Sequence, residues 1–167
     1  MRNLKFVIRR LARAQGAAVV VALAVSTGSA QFSDTWIGQW TLNVAKSVYK
    51  PGPPPAVRSQ VITHEAVPNG IRTIVERIDV QGRADRQEIT AMFDGKEYQV
   101  TGTPMPATRV YTRVDNRRFE YVQRVNGRVT VTTRVEISAD GKTRTNTTTG
   151  TNPQGRAIYN VEVWERQ

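Results

Sequence analysis

Cysteine is absent from the 167 residues. That removes disulfides, thiol catalysis, thiolate metal sites and a lipid-modified N-terminal cysteine. Histidine occurs once, at His64. A single imidazole cannot anchor a zinc site, which takes three or four protein ligands, and a lone histidine on a strand reads as a surface or core-edge residue. Carboxylates suited to acid–base work are not paired along any strand. Glu76 with Asp79, Asp85 with Glu88 and Glu162 with Glu165 each differ in parity, so the two members point to opposite faces. No segment after residue 30 keeps helical periodicity over three turns. The sequence thus offers no catalytic residue, no metal site and no cofactor site, and the expectation is a protein that is not an enzyme.

What is present begins with a leader. Residues 1–30 carry Arg2, Lys5, Arg9, Arg10 and Arg13, then the apolar run Ala17 to Val25, then the small residues Gly28, Ser29 and Ala30. This is the layout of a secretory signal peptide cleaved before Gln31. The apolar run is too short to span a bilayer, which needs roughly 20 residues, and an uncleaved anchor is the alternative. The expected location is periplasmic or secreted, with no transmembrane span in the mature chain. Of 24 basic residues, five lie in the leader, so the remainder holds 19 against 14 acidic ones, a net of +5. That modest charge argues against nucleic acid as a partner, although Tyr111 and Tyr121 could in principle stack on bases.

Residues 31–167 read as one all-β domain. Turn signals recur about every ten residues: Asn69-Gly70, Gly82, Asp94-Gly95, Gly102 to Pro106, Asp115-Asn116, Asn126-Gly127, Asp140-Gly141 and Asn152 to Gly155. Short connections make consecutive strands antiparallel. The first strand is expected at Trp36 to Val44, followed by a proline-rich crossing over 45–56 with prolines at 51, 53, 54 and 55. Trp36, Gly38, Trp40 and Leu42 share one face of that strand, and the glycine leaves room for a large group between two indoles. Further along, Ile89, Ala91 and Phe93 share a face, as do Val129, Val131, Val135 and Ile137, and Phe119 with Tyr121. Val110, Thr112 and Val114 oppose Arg109, Tyr111 and Arg113. The many arginines of the second half, Arg144 among them, sit opposite or among valines and threonines. They read as a wet outer face paired to Glu120 and Glu136, or as an anion-facing surface for the cell envelope. An antiparallel up-and-down meander of this kind hides its edges by closing into a barrel of about eight to ten strands.

The opening Trp36-Ile-Gly-Gln-Trp40-Thr-Leu42 resembles the G-x-W first strand of the calycins, the lipocalins and intracellular lipid-binding proteins. The closing Val161-Glu-Val-Trp164-Glu-Arg166 resembles their last strand. Phe93-Asp-Gly-Lys96, Tyr98-Gln-Val-Thr-Gly102 and Ser138-Ala-Asp-Gly-Lys142, with Ala45-Lys-Ser and the Pro51-Gly-Pro crossing, are similar to a group of exported bacterial lipocalin-like proteins. The resemblance implies a lipocalin-like barrel with an internal cavity for a small hydrophobic or amphipathic ligand. Trp36, Trp40, Phe93, Tyr98, Phe119, Tyr121 and Trp164 are the candidate cavity residues, with core filling as their competing role. It also implies structural roles for Gly38 and for Arg166, which would cover Trp40. Intracellular lipid-binding proteins hold a fatty-acid carboxylate with an arginine and a tyrosine on the last strand. The matching positions here are Glu162 and Trp164, and a glutamate there repels a carboxylate. Their two lid helices have no counterpart, since the proline crossing occupies that stretch. Two functions follow: an exported binder of a small ligand, or an envelope structural protein with a filled barrel working through its arginine- and threonine-rich surface.

Overall fold

The computed structural model describes residues 34–152 and 155–167, so the expected leader lies outside the described residues. Ten strands follow one another: β1 Gly38–Lys50, β2 Val57–Val67, β3 Gly70–Asp79, β4 Ala84–Met92, β5 Tyr98–Val100, β6 Ala107–Arg113, β7 Arg118–Val125, β8 Arg128–Ile137, β9 Thr143–Thr151 and β10 Ala157–Arg166. They form one antiparallel sheet in the order β4-β3-β2-β1-β10-β9-β8-β7-β6-β5. Each strand except β4 and β5 pairs along a full ladder with its sequence neighbour, and β1 with β10 joins the first strand to the last. The meander expected from the turn spacing is therefore present. Asn69 and Asn126 carry the positive φ of tight hairpins, at 55° and 50°, which asparagine tolerates better than other side-chain-bearing residues.

The barrel is nearly closed. Between β4 and β5 the ladder shrinks to one bridge, Glu88 with Thr101, held by backbone hydrogen bonds of 3.1 and 2.9 Å. Gly102 makes the approach possible. Its φ is +75°, and a Cβ there would sit 1.9 Å from the Arg86 carbonyl oxygen. Only a residue without a side chain lets the short β5 edge press so closely on β4.

Two expectations need correcting. The crossing is shorter than 45–56, because β1 runs to Lys50 and pairs Val48, Tyr49 and Lys50 with Val161, Asn160 and Tyr159. A bulge between Asn43 and Val48 carries the strand past Ala45-Lys46-Ser47. Ser47 repairs the interrupted ladder: its Oγ donates to the Asn43 carbonyl at 2.7 Å and accepts from the Val163 N–H at 2.9 Å. Only the stretch from Pro51 to Ala56 remains as the crossing. The second correction is to β6, whose faces are reversed from the valine-inward reading. Tyr111 is buried and Val114 is 51% exposed, while Val110 pairs with Val122 on the outside. Arg109 and Tyr111 point inward because the interior at this level is polar, so hydrophobicity does not mark the inner face.

Outer faces carry ion pairs at mid-strand. Arg72 bridges Glu65 and Glu88 at 2.7 Å each, and Arg134 meets Glu120 at 2.8 Å. These outer positions carry charge where a membrane-spanning barrel puts an apolar band.

Candidate functional site

The barrel interior divides along its axis. At one end is a dry aromatic plug. Trp36, Trp40 and Phe119 are fully buried. Trp36 meets Phe119 edge-on at 5.2 Å and Phe93 at 6.3 Å, a geometry that adds to plain burial. The Trp40 indole donates to the Trp36 carbonyl at 2.9 Å. Arg166 lies over the Trp40 ring at 4.2 Å. It then reaches along the strand, donating to the carbonyls of Gly141 at 2.7 Å, Ile37 at 3.0 Å and Thr35. Gly38 is what lets it pass: φ is +121°, and a Cβ there would lie 2.8 Å from Arg166 Nη1. One guanidinium thus ties the last strand to the chain entering the first. Arg113 adds a second brace, paired with Asp34 at 2.6 Å and 5.7 Å above the Trp36 ring.

Above the plug is a polar chamber of about 110 Å³. Arg144 and Asn146 of β9 and Glu162 and Trp164 of β10 line it on one side. His64 of β2, Thr73 and Arg77 of β3, and Arg109, Tyr111, Phe119 and Tyr121 of β6 and β7 line it on the others. Register explains the clustering. Trp164 pairs with Arg144 and Glu162 with Asn146, so two adjacent strands present four large side chains inward at neighbouring levels.

Arg144 is 2% exposed and His64 also 2%. The guanidinium lies 5.9 Å from both the Phe119 and Trp164 rings. Its Nε donates to Asn146 Oδ1 at 2.8 Å and its Nη1 donates to His64 Nε2. A guanidinium only donates, so His64 Nε2 must be the unprotonated nitrogen. Nδ1 then carries the hydrogen and donates to Thr73 Oγ1 at 2.9 Å. Burial, and next the nearby charges of Arg144 and Arg109, hold the His64 pKa well below 6.5. The imidazole is a neutral acceptor at physiological pH. Burial lowers Arg144 itself to about 10, which still leaves it cationic. Glu162 is raised by burial, against the pull of Asn146, Arg144 and Trp164. Half-buried Arg109 donates from Nε to Gln123 at 3.0 Å and stacks on Tyr121 at 4.7 Å. Among the described residues no carboxylate lies within ion-pair distance of Arg109 or Arg144. At the rim, Arg77 is 3.1 Å from Asp85, an ion pair whose alignment is too poor for a hydrogen bond.

Of the seven residues singled out from the sequence, Phe119, Tyr121 and Trp164 line the chamber. Trp36, Trp40 and Phe93 belong to the plug, because they stand at the level where β1 enters. Tyr98 is half-buried at the edge beside β6, with its hydroxyl donating to Asp94 at 2.9 Å. The reading of Arg144 and Arg109 as outer-face residues is corrected, as is that of His64 as a surface or core-edge residue. Of the remaining chamber residues, Asn146 has no role assigned from the sequence, whereas the resemblance places Glu162 where a ligand carboxylate would sit. Glu162 carried a signal, since it lies two before Trp164 and so shares its face. The outer arginines that do face water are largely neutralised, Arg118 by Asp115 at 2.7 Å and Arg124 by Glu97 at 3.0 Å.

These features define an up-and-down β-barrel sealed at one end and cationic within. No protein-family model matches the chain, and no curated protein matches it. Among solved structures it is similar to a zebrafish ileal bile acid-binding protein complexed with cholic acid. The two share 10% identity with a TM-score of 0.47, over 80% of this chain and 99% of that chain. A likeness of that degree carries no argument about family or ligand.

Proposed function

We propose that this protein is a non-enzymatic binding protein, exported by its N-terminal leader, that takes a small amphipathic ligand into the barrel interior. The observation that carries the reading is the chamber. Well-packed cores fill with aliphatic side chains and leave few voids, whereas this one keeps a void and surrounds it with Arg144, Arg109, His64 and Glu162. Burying such groups costs stability unless they are paired. Proteins break the rules of core design chiefly at functional sites. The lining favours a ligand with polar or anionic character over a purely apolar one. Export rests on the leader sequence, with its basic start, apolar centre and small residues at 28–30. The alternative, an envelope protein acting through an anion-facing exterior, is weaker because ion pairs absorb much of the outer arginine charge.

Native mass spectrometry on protein purified from the envelope fraction of its own host tests this. The expected result is a reproducible extra mass that organic or acid extraction removes. A bare mass under gentle conditions would overturn the carrier reading.

A further inference from the structure

We propose that the ligand is a compact oxyanion, a short carboxylate or an inorganic oxyanion, held between the guanidinium groups of Arg109 and Arg144, and that long alkyl chains are excluded. This rests on the reading above that the interior holds a small ligand, and it puts a compact polar guest in place of an amphipathic one. Size comes first. At about 110 Å³ the chamber falls below the usual range of roughly 300 to 1,000 Å³ for sites that enclose drug-sized ligands. It has room for about three or four waters at their liquid volume of ~30 Å³ each, or one small polyatomic ion. Below it the interior is stoppered by Trp36, Trp40 and Phe119, so an alkyl chain has no depth to occupy.

Charge comes second. His64 is a neutral acceptor, and burial favours the protonated form of Glu162. Among the described residues, two guanidinium groups face the chamber with no carboxylate within ion-pair distance of either, and Glu162 acts on Arg144 only at longer range. Their hydrogen bonds to the protein go to neutral groups of His64, Asn146, Gln123 and Tyr111. These contacts orient the planes and leave other donors over, among them Arg144 Nη2 and the part of the Arg109 fork that Tyr111 does not take. Planar donors fixed by neighbours and by stacking on Tyr121 are suited to bidentate recognition of an oxyanion.

Specificity comes third. Asn146 and Glu162 stand on the same wall as Arg144. Burial shifts Glu162 toward its protonated form, which weakens the repulsion an anion beside that wall would meet.

The test is isothermal titration of the chain as purified from its host after ligand removal, in a chloride-free buffer. The probes are sodium acetate, sodium succinate, sodium phosphate and, as the long-chain arm, sodium laurate. The expected result is saturable 1:1 binding of one or more compact anions. Affinity should weaken about tenfold or more in Arg144→Met and in Arg109→Met, and should be unchanged in Arg134→Met, which removes an outer charge. Preference among acetate, succinate and phosphate identifies the carboxylate or inorganic source. Should Arg144→Met lose the melting transition of the barrel, Arg109→Met decides, since it leaves His64 and Asn146 partnered. Laurate binding with no compact-anion binding overturns the inference and leaves the binding reading standing. Compact-anion binding that weakens equally in all three variants overturns it as surface adsorption. Binding of no probe overturns it too, and the extractable mass then decides separately whether the barrel carries something else.

Discussion

The two halves of the barrel interior use the same residue types to opposite ends. At the plug, Arg166 stacks on Trp40 at its outer edge and spends its donors on three backbone carbonyls. In the chamber, Arg144 lies between Phe119 and Trp164, yet two of its nitrogens meet only neutral side chains and one is uncommitted. The first arginine is partly exposed, so its charge keeps contact with water while its plane closes the sheet. The second is buried with no carboxylate in ion-pair contact among the described residues, so little offsets the desolvation cost of its charge. The plug is arranged for stability, and the chamber leaves a buried cation without an ion-pair partner among the described residues.

If that contrast is right, the plug should be the costliest place to cut. Trp40→Ala removes a fully buried indole, its hydrogen bond to Trp36 and the platform under Arg166. Large-to-small core changes of this kind cost about 3–5 kcal/mol, a large part of the roughly 5–15 kcal/mol that holds a domain folded. Urea denaturation followed by far-UV circular dichroism should show the loss. A cost below about 1 kcal/mol would mean the plug is not what secures the barrel. Next in size is Gly38→Ala. At φ +121° an added Cβ is strained, and it meets Arg166 Nη1. The expected loss is about 2 kcal/mol, seen as a lower denaturation midpoint with an unchanged slope. Arg166→Ala made in the Gly38→Ala background should then cost less than Arg166→Ala alone, because the two act through one contact.

The plug was legible in the sequence and the chamber largely was not, for a physical reason. Turn chemistry fixes hairpins locally, so Asn69-Gly70, Asn126-Gly127 and Asp140-Gly141 marked the strand ends, and the all-β meander followed. Faces could be read where apolar residues alternate, as at Ile89, Ala91 and Phe93. The inference fails where the inside is polar. Strand β9 reads Thr-Arg-Thr-Asn-Thr-Thr-Thr-Gly-Thr, polar on both faces, and only its register against Trp164 identifies Arg144 as interior. In β6 the valines lie outside, and alternation pointed the wrong way. The bulge at Ser47 depends on a hydrogen bond to Val163, 116 residues away, which no local pattern announces. Sequence periodicity therefore found the apolar end and hid the polar one.

Acid should act on the chamber before the plug. His64 is neutral in the barrel, with its pKa depressed below 6.5 by burial and then by Arg144 and Arg109. Below pH 6.5 the unfolded chain takes up a proton that the folded barrel refuses. Stability present above that pH is therefore lost as pH falls toward the depressed folded value, by up to about 1.4 kcal/mol per pH unit. Glu162 works the other way: its folded pKa is raised above 4.5, so the barrel gains stability relative to the unfolded chain as pH falls from that raised value to 4.5. Comparing His64→Gln with the parent between pH 7.5 and 5 isolates the histidine, since Glu162 is common to both. The parent should lose stability faster on acidification. Parallel curves would show that His64 is accessible to protons in the folded state and that the chamber is not the desolvated site described.

The smallest stability effect is expected at the residue with the largest effect on binding. Arg144→Met keeps a long, flexible side chain between Phe119 and Trp164 and removes a buried charge. It leaves His64 Nε2 and Asn146 Oδ1 without their donor, at about 1–3 kcal/mol for unsatisfied buried groups. Removing a buried cation that has no ion-pair contact returns a similar amount, because burying charge is what core packing tolerates least. The two terms oppose each other, and the net change should stay within about 1 kcal/mol in either direction. Denaturation of the ligand-free protein measures this directly. A loss of 3 kcal/mol or more would place Arg144 with Trp40 as a keystone of the fold, and the division of the interior into a stabilising end and a binding end would fall with it.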